Sequence, residues 1–235
     1  MLKGKLQKLS VCGVLLATMS APVLANESAN QVDPWEGFNR TMFSFNEGVD
    51  KYAVKPLTQG YQYVMPDVAE TGVSNFFANL RMVRTLLNNV LQFKLHNAAE
   101  DVSRLVANTT FGIGGIFDVA TPMGIPHNDE DFGQTLGAWG VGSSHYLVLP
   151  FIGPTNPRDA VGFFADSMVD PVYHMGDTSD RNVAYGVRLL SDRGELLKAE
   201  ELVSGDRYLF VRDAYLQRRE FMINDGEVTA KDEDF

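Results

Sequence analysis

Apolar side chains recur along most of this chain at helical spacing. Trp35, Phe38, Met42, Phe45, Val49 and Tyr52 follow one another at intervals of three or four residues, which puts them on one face of a helix. Asp33-Pro34-Trp35-Glu36 supplies a cap, a proline in the first turn and an acidic partner, and Lys55-Pro56 should end the helix. Phe43 lies just off the stripe, while Asn39 and Asn46, seven residues apart, stand one above the other. Pro66-Asp67 opens a second helix with Ala69, Val73, Phe76, Phe77 and Leu80 on one side, and Val83, Leu86, Leu87, Val90 and Leu91 continue the pattern with room for a bend. Asn97 can cap a helix carrying Val102, Leu105 and Val106, and Asn156-Pro157-Arg158-Asp159 repeats the cap, proline and acid ahead of Val161, Phe164, Ala165 and Met168. Two more helices are expected near 181–203 and 207–222, the second capped by Asp206. Strand signal is confined to "HYLVLPFIG".

Two zones depart from this rhythm. Residues 132–157, "FGQTLGAWGVGSSHYLVLPFIGPTNP", contain no Lys, Arg, Asp or Glu, yet five glycines and three prolines break them. Residues 105–117 are also free of charge, and "FGIGGIF" sets three glycines among bulky apolar side chains. The longer zone is a poor transmembrane helix, because Gln134, Ser143, Ser144, His145 and Pro150 interrupt it. A glycine-rich region of a soluble core and a membrane-embedded set of short helices both remain open on residue types alone.

Composition narrows the choice. Lys3, Lys5 and Lys8 precede a short apolar run, and "APVLA" places Val23 and Ala25 before a cut, the pattern of a cleavable signal over 1–25. Its removal takes away three lysines and no acid, moving the formal net charge from −10 to −13. That sign argues against nucleic acid, since phosphate binding needs a basic patch. Cys12 is the single cysteine and falls in the signal, so disulfides and thiol chemistry drop out of the mature chain. Val11 precedes Cys12 and the apolar run follows it, the reverse of a lipid-attachment site, so no N-terminal acyl anchor is expected. Residues 26–223 are expected to form a single helical domain and 224–235 an acidic, disordered tail.

Catalytic and metal patterns fail one by one. "GIGGIF" lacks the third glycine of a dinucleotide fingerprint. "GVGSSHY" is not G-x-S-x-G, and adjacent Ser143, Ser144 and His145 do not make the spatial nucleophile–base arrangement of a hydrolase. His96, His127, His145 and His174 show no paired ligand spacing. Asp129-Glu130-Asp131 reads as a solvated acidic loop, and Arg207, Arg212, Arg218 and Arg219 as a solvated basic face with an acidic partner as the alternative.

Five blocks in order, "DPWEGFNRTMFSFNEGVD" (33–50), "VSNFFANL" (73–80), "NTTFGIGGIFDVA" (108–120), "FGQTLGAWGVGSSHYLVLPFIGPTNPRDAVG" (132–162) and "DRYLFVRDAYLQRREFMINDG" (206–226), resemble the MlaA (VacJ) outer-membrane family. The resemblance implies an all-α fold: a ring-like assembly of short amphipathic helices with Gly/Pro-rich connections, embedded in or on one membrane leaflet. It implies non-enzymatic transport of phospholipid at the outer membrane of a Gram-negative bacterium, on its periplasmic side. Mislocalised lipid would leave the outer leaflet through an amphipathic channel, with a trimeric porin and a soluble periplasmic lipid carrier as partners and no cofactor or metal. Asn39, Asn46, Ser143 and Ser144 are then candidates for polar lining, and Phe38, Met42, Phe43 and Phe45 for bilayer or lipid-tail contact. Gly133, Gly137, Gly140 and Gly142 are candidates for close approach along the same path. A soluble periplasmic binding or scaffold protein is the alternative.

Overall fold

The computed structural model describes residues 32–143, 145–200 and 205–227. The expected signal peptide, Ser144 and the last eight residues of the acidic tail lie outside the described residues. Helices dominate: α1 (Glu36–Val49), α2 (Lys55–Val64), α3 (Asp67–Leu91), α4 (Leu95–Thr110), α5 (Phe132–Ala138), α6 (Pro157–Val169), α7 (Thr178–Glu200) and α8 (Arg207–Ile223). One antiparallel hairpin, β1 (Leu147–Leu149) and β2 (Gly153–Thr155), interrupts them, with Leu147 opposite Thr155 and Val148 opposite Pro154. The expected all-α class holds, and the hairpin starts in the segment read as extended and ends two residues beyond it.

Local chemistry explains most boundaries. Asn156 caps α6 by accepting the Asp159 N–H and, in return, donates from Nδ2 to the Asp159 carboxylate at 2.8 Å. Asp206 accepts the Tyr208 and Leu209 N–H groups at the head of α8. Three expectations fail. Lys55-Pro56 does not stop the first helix. The turn widens to a π segment over Asp50–Val54, the Lys55 N–H reaches back to the Asp50 carbonyl, and α2 continues with the proline in its first turn. A wider turn tolerates the proline ring and its missing donor, which a regular α-turn would not. Asp33 does not cap α1: Trp35 is the capping residue and makes no side-chain bond. The Asp33 carboxylate instead accepts from Asn39 Nδ2 and Tyr208 Oη. The fourth helix starts at Leu95, two residues before the expected Asn97 cap.

Helix α3 runs without interruption for 25 residues and packs against α4, α5, α6 and α7. What it buries is mainly polar: Asn79, Thr85, Asn88 and Asn89 are enclosed, while Phe76, Leu87, Val90 and Leu91 are exposed. Helix α4 repeats this, burying Asp101, Arg104 and Asn108 and exposing Val102 and Val106. Helix α6 does the same with Arg158, Gly162 and Asp166 inside and Val161, Phe164 and Met168 outside. Among the described residues, buried polar side chains outnumber buried apolar ones two to one. The apolar periodicity was therefore real, but the face it marks points outward. In a water-soluble domain the long apolar side chains turn inward, so large exposed apolar surface calls for another environment or a partner.

A conventional apolar core survives in one place. Tyr146, Val148 and Tyr208 are buried against Met42, Phe43, Leu209, Tyr215 and Leu216. This cluster joins α1, the hairpin and α8. Packing neighbours then close a circuit: α1, hairpin, α8, α5, α3, α7, α2 and, through the π segment, α1 again. No helix among the described residues is long and apolar enough to cross a membrane.

Candidate functional site

A cavity of about 550 Å³ opens between α3, α6, α7, α8 and the hairpin. Leu80, Ile152, Phe163 and Leu189 supply its apolar wall. Half of the lining is ionic. Arg81 on α3 bonds Asp192 on α7 at 3.1 and 3.3 Å. Arg188 on α7 pairs with Asp170 after α6, and Arg84 pairs with Asp129 at 3.0 Å. Asp166, also in the wall, accepts from Asn88 Nδ2 and from the Phe132 N–H, both at 3.0 Å.

A largely covered pairing sits where α5, α6 and α8 meet. Arg219 forks onto Asp131 with two bonds, and its Nε lies 2.8 Å from Asp159 Oδ2. Asp131 also caps α5 by accepting the Gln134 N–H at 2.8 Å, while Tyr215 Oη donates to Asp159 at 2.6 Å. Burial pulls the Arg219 guanidinium down, but its bonds to Asp131 and Asp159 outweigh this and hold it above its ordinary range. Burial pushes Asp131 up, and bonding and charge from Arg219 more than reverse it. Asp166 goes the other way: burial raises it, and the Phe132 N–H, Arg84 and Asn88 only partly offset that. The crossing of α5 and α6 depends on Gly162, where an added Cβ would stand 2.4 Å from the Gly133 nitrogen.

Residues 31–222 match the family model described as "MlaA lipoprotein". The chain belongs to the MlaA lipoprotein family. It is 35% identical over 230 residues to proteins of Shigella flexneri and Escherichia coli strain K12, each named "Intermembrane phospholipid transport system lipoprotein MlaA", covering 94% of this chain and 91% of each relative. An uncharacterized protein of Rickettsia bellii is 36% identical over 192 residues, 80% of this chain and 75% of its own. A solved structure described as "Structural basis for maintenance of bacterial outer membrane lipid asymmetry" superposes with a TM-score of 0.71 at 35% identity, covering 82% of this chain and 99% of that one.

Within this MlaA domain the candidate residues fall into separate places. Asn39 is fully enclosed. It donates to Asp33 at 2.7 Å and to the Tyr146 carbonyl at 3.0 Å, and accepts the Val148 N–H at 2.9 Å. Asn46 donates to the Leu149 carbonyl and accepts the Phe151 N–H. The seven-residue spacing thus forms a two-point amide clamp on the hairpin, and neither asparagine is among the residues lining the cavity. Phe43 packs edge-on against Tyr208, and Met42 joins the same cluster. Phe38 is half-buried, whereas Phe45 is exposed and meets Phe151 at the hairpin tip, ring centroids 5.3 Å apart. Gly133 lies beneath the ion cluster, and Gly137 lies against Arg158 and Ile223. Gly140 makes a left-handed turn at φ +90°, and Gly142 and Ser143 are exposed. The His145 ring packs on Trp35.

Two expectations about charge are corrected. Asp129-Glu130-Asp131 is no free acidic loop: Glu130 is buried against Lys94, Asp131 holds Arg219, and Asp129 holds Arg84. Arg212 and Arg219 are not a solvated face either; both are largely covered and paired with carboxylates of this chain. The cavity arginines and aspartates were the residues that pattern reading missed. Among the described residues no group of His, Cys, Asp and Glu is arranged to hold a metal ion.

Proposed function

We propose that this chain transports phospholipid at the outer membrane of a Gram-negative bacterium. It would lie on the periplasmic side, draw mislocalised phospholipid from the outer leaflet and pass it to a soluble periplasmic carrier. A trimeric porin is the membrane partner in this reading, and no covalent bond is made or broken. Family membership and relatives named for intermembrane phospholipid transport support it.

The observation that carries the proposal is the inverted polarity around a cavity. Exposed Tyr63, Phe93, Phe111 and Phe151, with the apolar outer faces of α3, α4 and α6, suit contact with hydrocarbon. The cavity wall offers arginines and aspartates to a charged headgroup. Both surfaces are needed. Each CH₂ of an acyl chain left in water costs about 0.8 kcal/mol, while a phosphate buried without polar partners is costlier still.

The test is a deletion strain complemented with this chain. Outer-leaflet phospholipid should rise on deletion and return to the parental level on complementation. Unchanged surface phospholipid, or release of the protein from membranes by carbonate without detergent, would remove the reading in favour of a soluble periplasmic scaffold.

A further inference from the structure

We propose that the cavity selects phospholipids whose headgroup carries both a phosphate and an ammonium, by exchange at the Arg81–Asp192 pair. The inference rests on the transport reading above and adds the class of headgroup that the path favours.

The cavity wall holds five aspartates against four arginines and no other charged side chain. Every one of those arginines already has a carboxylate partner, at Asp192, Asp129, Asp170, or Asp131 with Asp159. A phosphate entering the cavity therefore meets no unpaired cation; it competes with a carboxylate for one. Arg81 and Asp192 form the most open pair in which both members line the wall, 27% and 44% exposed, against 13% and 22% for Arg219 and Asp131. They also come from different helices, α3 and α7, so swapping partners requires no change within either helix.

Displacement has different consequences for the two headgroup classes. A headgroup with net negative charge takes Arg81 and strands the Asp192 carboxylate in a wall that is already acidic in balance. Asp166 adds to that balance, since it is held by an amide and a backbone N–H and by no arginine within ion-pair distance. A zwitterionic headgroup makes the same bond to Arg81 but carries its own ammonium to the released carboxylate. One ion pair becomes two and the charge of the cavity is unchanged. Leaving one partner of the pair without a counter-charge, in a wall whose other charges are acidic in balance, is costlier than exchanging it.

Full-length protein in non-ionic detergent, mixed with equimolar phosphatidylethanolamine and phosphatidylglycerol of identical acyl chains, reads this directly through mass spectrometry of the co-purified lipid. Wild type should retain the zwitterionic lipid about fivefold over the anionic one, less than a full 1.4 kcal/mol decade. Asp192→Asn frees Arg81 for a phosphate without a counter-ammonium and should bring the ratio near parity. Arg81→Gln removes the phosphate contact and should lower retention of both lipids while helicity stays at the wild-type level. Equal retention by wild type would overturn the selection and leave the transport proposal standing. So would a wild-type preference that Asp192→Asn leaves unchanged, because lipid on the apolar exterior would then account for it. Retention of neither lipid would overturn both.

Discussion

Two regions of this molecule hide polar groups by different chemistry. On α1, Asn39 and Asn46 use neutral amides, each giving its Nδ2 hydrogen to a hairpin carbonyl and accepting a hairpin N–H on Oδ1. At the junction of α5, α6 and α8, full charges do the same work, with Arg219 between Asp131 and Asp159. An amide satisfies a backbone with little field around it, so the clamp fixes where the hairpin lies and, through Asn39, also holds the Asp33 carboxylate. An ionic cluster creates a strong field in a poorly hydrated space, and this one borders the cavity. The clamp therefore sets geometry, and the cluster sets geometry and the electrostatics that a lipid headgroup would meet.

The largest expected effect comes from breaking the cluster. Arg219→Met keeps much of the side-chain volume but strips Asp131 of its forked partner, while Asp159 keeps only Arg158, and should cost about 3–5 kcal/mol of stability. Urea unfolding of the detergent-solubilised protein, followed by helical circular dichroism, measures it. A loss under about 1 kcal/mol, the range of exposed pairs, would mean that water already screens the cluster and that the contrast with the clamp is false. Arg219→Lys should recover only part of the loss, since one ammonium cannot fork onto Asp131 while also reaching Asp159.

Breaking the clamp should cost less. Asn39→Ala removes three hydrogen bonds and leaves the Val148 N–H and the Tyr146 carbonyl without their side-chain partner, for an expected loss of about 2–3 kcal/mol. Asn46→Ala removes two bonds nearer the exposed hairpin tip and should cost about 1 kcal/mol. Both are read by the same unfolding measurement. An Asn46→Ala loss equal to that of Asn39→Ala would show that the two points act as one unit.

How much of this was legible in the residues differs between the regions too. The seven-residue spacing of Asn39 and Asn46 announced two polar groups on one helix face, but the hairpin backbone they hold lies more than a hundred residues away. Caps at Asn156 and Asp206 were readable because a cap is settled within three residues. The ion cluster was not, because Arg219 and Asp131 are 88 positions apart and each looks solvated in its own neighbourhood. Periodicity located the apolar faces of α3, α4 and α6 correctly, yet carries no information about whether protein or hydrocarbon covers them. The tolerance of Pro56 rests on a widened turn that no local residue preference specifies.

The smallest effect, absent at neutral pH, separates the two chemistries most cleanly. Asp131 has a folded-state pKa below its ordinary value of 3.8. Its contribution is therefore present above the unfolded value and lost as pH falls from there through the folded one. Asp166 opposes it: a carboxyl whose folded pKa is raised gains stability relative to the unfolded chain as pH falls from the folded value to the unfolded one. Both act on the head of α5, so Asp166→Asn is the background in which the Asp131 effect stands alone. There, protection of the Gln134 N–H against hydrogen exchange, corrected for intrinsic rates, should fall below about pH 4. The Val148 and Phe151 N–H groups, held by amides that do not titrate, should keep theirs over the same interval. Loss of protection at all three positions together would mean that the hairpin and the α5 junction open as one cooperative unit, and that the difference in chemistry has no separate consequence for stability.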